Sequence, residues 1–136
     1  MTRDDVVAYI KDVNIGYLAT VGVDGAPRVR PIGMHTVYDN SLYFFTFCTT
    51  RKVAEIDSHP QVEVVWCKLE ENSQARIRGR MFAEEDEAIQ GQFKQDNPMV
   101  EQMIPDGADH LFRLYRMEPE VVEMATGLVP YTVVEW

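Results

Sequence analysis

At 136 residues, with 46% hydrophobic, 26% charged and 10% aromatic positions, the chain is long enough to bury roughly two thirds of its unfolded surface, and residues 1–136 are expected to form one domain. This composition excludes collagen-like, low-complexity and disordered classes, and the lack of any apolar run near ~18 residues excludes a membrane-spanning helix. The formal net charge of −9 repels nucleic acid and anionic membrane at long range, so neither is an expected partner.

Thr2 followed by Asp5 makes a capping-box pattern, and Val6, Val7 and Ile10 form an apolar stripe, which predicts a helix over about residues 3–12. The mixed-charge start lacks the apolar stretch of a signal peptide, and Cys48 and Cys67 cannot staple a scaffold. A cytoplasmic protein with reduced thiols is expected. GYLATV (16–21) reads as a strand, and Asp24-Gly25 is a strong hairpin signal toward a partner strand from Pro27 to Val37. A second turn at Asp39-Asn40-Ser41 leads into the aromatic strand LYFFTF (42–47). Thr50 can cap a helix that carries Val53 and Ile56 and must stop before Pro60. VEVVWCKL (62–69) is another strand, followed by QARIRGRMFA (74–83), in which Ala75, Ile77, Gly79 and Met81 alternate with Gln74, Arg76, Arg78 and Arg80. Residues 85–95 read as an acidic helix, a loop with Pro98 and Pro105 follows, and LFRLYRM (111–117) and VVEMAT (121–126) end the sheet, divided at Glu118-Pro119. The pattern predicts a mainly β fold of about six antiparallel strands with few helices, closed as a small split barrel.

Charge is unevenly spread. Residues 1–83 hold ten Lys/Arg and ten Asp/Glu, whereas residues 84–136 hold three and twelve. The cations gather at Arg28/Arg30, Arg51/Lys52 and Arg76/Arg78/Arg80. In FTFCTTRK (45–52) a strand ends, hydroxyls and two cations follow, and a helix begins. A helix N-terminus offers free N–H groups and positive potential, so it suits a phosphate, and cations placed there ask for an anion. The same run also reads as an ordinary capped helix with a solvated Arg-Lys pair. Arg30 is expected in a strand lying beside residues 42–47, within reach of the same anion. Gln74 opens a polar strand face, and its amide can donate and accept, as the mixed edge of a flavin ring requires.

GYLATVGVDGAPRVRPI, LYFFTFCTTRKVAEIDSHPQVEVVW and QARIRGRMFAEED, in this order, resemble the pyridoxamine 5'-phosphate oxidase-like FMN-binding split barrels, which include small bacterial general-stress proteins; the resemblance covers about residues 10–126. It implies FMN at a homodimer interface, with the phosphate held by Arg30, Thr50, Arg51 and Lys52. It implies further that the backbone of Pro31, Ile32 and Gly33 runs along the ring, that Phe45 and Thr46 are the aromatic-Thr pair, and that Gln74 faces the ring. The implied function is that of an FMN-dependent oxidoreductase acting on a small-molecule substrate or electron donor. Flavin carries the hydride, so no protein acid or base is obligatory and no catalytic residue is assigned. The chain departs from the oxidase proper: after Arg116 it has no Arg, Lys or His to grip pyridoxal phosphate, which puts pyridoxamine phosphate oxidation in doubt.

Alternatives on the same barrel are a non-enzymatic stress-response protein that stores or senses flavin, one that holds haem through His35 or His110, and a cofactor-free interaction module. His35, His59 and His110 show no metal-ligand spacing with Cys48 and Cys67, so no metal site is expected. Cys67 reads as core, and Cys48 as packing or a partly exposed thiol. Tyr131 and Trp136 belong either to a frayed tail or to one packed on a dimer partner. A barrel of this size fills its interior with its own side chains, so a flavin ring must lie outside it, where a second subunit can cover it.

Overall fold

A computed structural model describes residues 1–33 and 35–136. Helix α1 (Arg3–Val13) begins at the expected capping box: the Thr2 hydroxyl accepts from Asp5 N, and the Asp5 carboxylate accepts from Thr2 N at 2.7 Å. Strands β1 (Gly16–Val21) and β2 (Pro27–Ile32) form the hairpin expected around Gly25, which sits at φ +84, a conformation open to glycine without a Cβ penalty. Then come β3 (His35–Tyr38), β4 (Ser41–Phe47), α2 (Arg51–Ser58), β5 (Gln61–Lys68), β6 (Ser73–Ala83), α3 (Glu87–Asp96), α4 (Met99–Met103), β7 (Phe112–Thr126) and β8 (Thr132–Val133). Among the described residues no helix is long and apolar enough to cross a membrane.

Among the described residues eight strands form one antiparallel sheet in the order β2-β1-β5-β6-β7-β4-β3, with β8 paired to β7. The mainly β split barrel is therefore present, with eight strands where about six were expected. The expected strand 27–37 is two strands at opposite ends of this order (position 34 lies outside the described residues). Consequently, among the described residues, β2 pairs with β1 alone, and Arg30 is not brought beside residues 42–47 by strand pairing. The two expected strands 111–117 and 121–126 are one, β7, which pairs with β4 through its first half and with β6 along most of its length. Glu118-Pro119 marks a register shift opposite Gly79 and not a strand end. The Pro98–Pro105 region, expected as loop, holds α4, whose Val100 is fully buried. The tail is tied to its own chain: Val134 is buried, Trp136 Nε1 donates to the Asn40 carbonyl at 2.8 Å, and the Arg3 guanidinium lies 4.7 Å from the Trp136 ring centroid.

Alternation along the strands decides the two faces. Leu18, Val64, Ile77 and Val122 pair in one row and bury against Val6 and Ile10 of α1, Trp66, Tyr115 and Met117. A second apolar cluster lies on the other side of β4 and β7, where Tyr43, Phe45 and Leu114 meet Phe93 of α3 and Val100 and Ile104. Burial of β4 on both faces explains its almost unbroken apolar sequence.

Candidate functional site

Helix α2 sets the site. Val53 and Ile56 bury into the main cluster, which presses the helix onto β1 and carries its remaining side chains to the end of the inner sheet face. There Glu55, only 2% exposed, receives contacts from three elements. Its carboxylate accepts from the Thr20 hydroxyl of β1 (2.9 Å) and the Arg30 guanidinium of β2 (2.5 Å). Arg51 Nε lies 3.7 Å and Arg28 Nε 3.9 Å from its second oxygen. Burial alone would raise the Glu55 carboxyl, but the hydrogen bonds from Thr20 and Arg30 and the charges of Arg30 and Arg51 outweigh it and hold it below the ordinary carboxylate range. Arg30 also donates through Nη1 to Thr20 Oγ1 (2.7 Å) and the Leu18 carbonyl (3.4 Å). These contacts leave its Nε–H edge without a protein acceptor among the described residues.

Beside this cluster, Lys52 Nζ lies 3.3 Å from Thr50 Oγ1, which lies 3.3 Å from Thr46 Oγ1. Thr50 occupies the N-cap position of α2 but gives the helix no side-chain cap; its hydroxyl donates instead to the Phe47 carbonyl at 2.9 Å. The first turn of α2 contains no acidic residue. The Lys52 ammonium is pushed below the usual lysine range, first by burial and then by the Arg30 charge, with Glu55 opposing. Four cations around one buried carboxylate, at a helix N-terminus whose N–H groups are uncapped by a side chain, make a surface of positive potential with hydroxyl donors.

Of the ten residues expected to hold cofactor, Arg30, Thr46, Thr50, Arg51 and Lys52 come together here. The route is the packing of α2 on β1, not a β2–β4 pairing. Ile32 lies on the same inner face and is buried, whereas Pro31 on the outer face is exposed. Gly33 follows β2 and needs no close approach, since a Cβ there would find its nearest neighbour, Ile15 Cγ1, at 3.8 Å. Phe45 is not in the cation cluster; it stacks on Phe112 at 5.5 Å within the second apolar cluster. Gln74 lies on the outer face of β6, where its Oε1 accepts from Arg76 Nε (2.9 Å) and Tyr131 OH (3.2 Å). Thr20 and Glu55 were absent from the sequence-based site. The only local signal was the Arg51–Glu55 spacing of four on one helix, which ordinarily marks a solvated pair.

His35 packs edge-on to Trp66 (5.5 Å) and tilted on Phe44 (6.3 Å), and burial, against a backbone contact at Asn14, holds its imidazole below the ordinary histidine range. His110 is exposed, its carbonyl 3.6 Å from Cys48 Sγ, and both thiols are free.

Comparison with known proteins agrees with this fold. A Pyridoxine/pyridoxamine 5'-phosphate oxidase of Thermosynechococcus vestitus is 37% identical over 78 residues, 57% of this chain and 37% of that protein, so the chain spans little more than a third of that relative. The fold matches a NimC/NimA family protein from Clostridium acetobutylicum with a TM-score of 0.83 at 18% identity, covering 96% of this chain and 89% of the other. It also matches a pyridoxamine 5'-phosphate oxidase-related, FMN binding protein from Nostoc punctiforme PCC 73102, with a TM-score of 0.68 at 19% identity over 90% and 82% of the two chains. The Pyridoxamine 5'-phosphate oxidase family profile matches residues 2–125, and the chain belongs to that family.

Proposed function

We propose that this chain binds FMN and works as an FMN-dependent oxidoreductase on a small-molecule substrate, as a homodimer in a reducing cytoplasm. The observation that carries this reading is the cation cluster at the start of α2, where Arg30, Arg51, Lys52 and the Thr46–Thr50 hydroxyls share one end of the inner sheet face. These residues fit a phosphomonoester. Arg30 keeps an unused N–H edge, Lys52 is a partly buried cation with one oxygen at 3.3 Å, and the N-cap hydroxyl does not cap the first turn of α2, where Val53 N–H turns to the Thr50 carbonyl at 3.2 Å. When bound, a flavin supplies hydride transfer. The chain's part is to grip the phosphate, orient the ring and limit water.

Support for a second subunit comes from the two sheet faces. Arg30, Leu18, Val64 and Ile77 form one paired row on the inner face, whereas Gln74 and Cys67 pair on the outer face. One flavin cannot meet Arg30 and Gln74 of the same chain through the sheet between them. Two copies related by a twofold can place Gln74 of one against the ring held by the other. Tyr17 pairs with Val65 on the outer face and is exposed, and Val29 is exposed on the next strand, which gives a small apolar area for such a partner to cover. Light scattering of purified protein at micromolar concentration should report about twice 15.6 kDa with or without FMN. A monomer that binds FMN tightly would show that the site is complete in one chain.

The phosphate grip is tested directly. Replacing Arg51 and Lys52 with alanine removes two charge-assisted contacts, each worth roughly 1.5–3 kcal/mol, so FMN affinity should fall at least about tenfold. Riboflavin, which lacks the phosphate, should lose much less. Equal losses for both ligands, measured by flavin fluorescence titration, would place the two residues in the fold and not in the phosphate site. Purified protein that stays colourless and shows no change near 450 nm on adding FMN would end the flavin reading (FMN absorbs at about that wavelength by virtue of its own ring).

A further inference from the structure

We infer that Glu55 is a positioning residue for the anion site: its buried carboxylate, with the Thr20 hydroxyl, fixes the Arg30 guanidinium so that the remaining Nε–H edge is presented to the phosphate of a bound flavin mononucleotide. The inference rests on the phosphate reading above and extends it to two residues that make no contact with ligand themselves.

A carboxylate inside a phosphate site is at first sight the wrong charge. Its surroundings resolve this. Glu55 is 2% exposed, and both oxygens are turned to the protein, Oε1 to Thr20 and Arg30, Oε2 to Arg51 and Arg28. Its charge is thus spent on guanidinium groups, and the ligand meets the cations in front of it. Arginine carries large rotamer entropy, and an arginine fixed before the ligand arrives loses less on binding. Arg30 is fixed by three acceptors on three residues: Leu18 O, Thr20 Oγ1 and Glu55 Oε1. Thr20 links the set, accepting from Arg30 and donating to Glu55, so loss of either side chain frees the guanidinium. A group so held, while its Nε–H edge stays free, is preorganised for a planar two-point contact with phosphate oxygens.

Coulomb's law alone predicts the opposite result, since removing a negative charge from an anion site should tighten anion binding. That contrast makes the test decisive. FMN and riboflavin dissociation constants are measured for wild type, Glu55→Gln, Thr20→Val, Arg30→Ala and the Glu55→Gln/Arg30→Ala double variant. Glu55→Gln keeps the shape of the side chain, and Thr20→Val keeps its volume in the sheet, so both retain the fold. Each is expected to weaken FMN by about tenfold or more, the size of one lost charge-assisted contact, with riboflavin changed less than about twofold. In the Arg30→Ala background the Glu55→Gln substitution should add less than about a twofold change, because coupled residues act as one unit. FMN binding that tightens in Glu55→Gln, that is lost to the same extent with and without Arg30, or that falls in parallel with riboflavin overturns the positioning role while leaving the flavin site intact. Wild-type protein that takes up no FMN overturns the flavin reading and this role together.

Discussion

Trp66→Ala should lower the unfolding free energy by about 3–5 kcal/mol, the usual range for deleting a buried large aromatic. The residue is fully buried, lies edge-on to His35 at 5.5 Å and stacked on Phe44 at 6.4 Å, and sits where the inner face of β5 meets α1 and β4. Gly16 packs directly against the indole, since a Cβ there would lie 2.9 Å from Trp66 Nε1, so the backbone of β1 borders the space the ring would vacate. Against a typical stability of about 5–15 kcal/mol, such a loss takes a large share of the total. At roughly 3 °C per kcal/mol for a chain of this length, Tm should fall by roughly 10–15 °C. Trp66→Phe should cost far less, since it keeps most of the packing and removes an indole N–H that is buried without a partner among the described residues. Thermal unfolding of both variants checks this; equal losses would show that a phenyl ring does not refill the space the indole leaves.

The second large effect is at the register shift between β6 and β7. Gly79→Ala would put a methyl group 2.1 Å from the Glu118 carbonyl oxygen and about as close as 3.0 Å to its carbon, and both belong to backbone that cannot rotate away. Pro119 follows directly and removes any donor from that point of the ladder, so the two strands approach there without a regular hydrogen-bond pair. A loss of about 3 kcal/mol is expected, the upper end for overpacking. Gly91→Ala offers the contrast. It lies within α3 with nothing within 4 Å of its would-be Cβ, so the same substitution should stabilise by about 0.5–1 kcal/mol through helix propensity. Opposite signs in urea unfolding are the expected outcome. A Gly79→Ala protein as stable as wild type would mean that the bulge relaxes freely.

Most elements were legible because each announces itself within a few residues. The Thr2–Asp5 box, the Asp24-Gly25 turn, the strict alternation of residues 74–83 and the helix starting at Arg51 all rest on local pattern and were found in place. The misreadings share one cause. Residues 27–37 hold no turn pair like Asp24-Gly25, only the single Gly33, so the local pattern does not say that β2 and β3 part to opposite ends of the sheet order. Glu118-Pro119 looks like a strand end, because a missing N–H is visible in sequence and a glycine on the neighbouring strand that accommodates the shift is not. Helix α4 was hidden between two prolines, and its stability comes from Val100 packing against Phe93 and Ile104, contacts that depend on α3 being in place.

The sequence by itself determined the residue types of an anion site and their order along the chain: Arg30, then Thr46 and Thr50, then Arg51 and Lys52. Those are properties of side-chain chemistry and of a helix start, both readable at short range. Tertiary structure alone decided which of them meet. Arg30 reaches the α2 terminus because α2 packs on β1, next to β2. Gln74 is turned to the other face because alternation along β6 sets it opposite to Ile77. Glu55, which looks on a helical wheel like half of an exposed pair, becomes the buried hub of three arginines. Facing and burial are set by which elements pack together, and that depends on the whole chain at once.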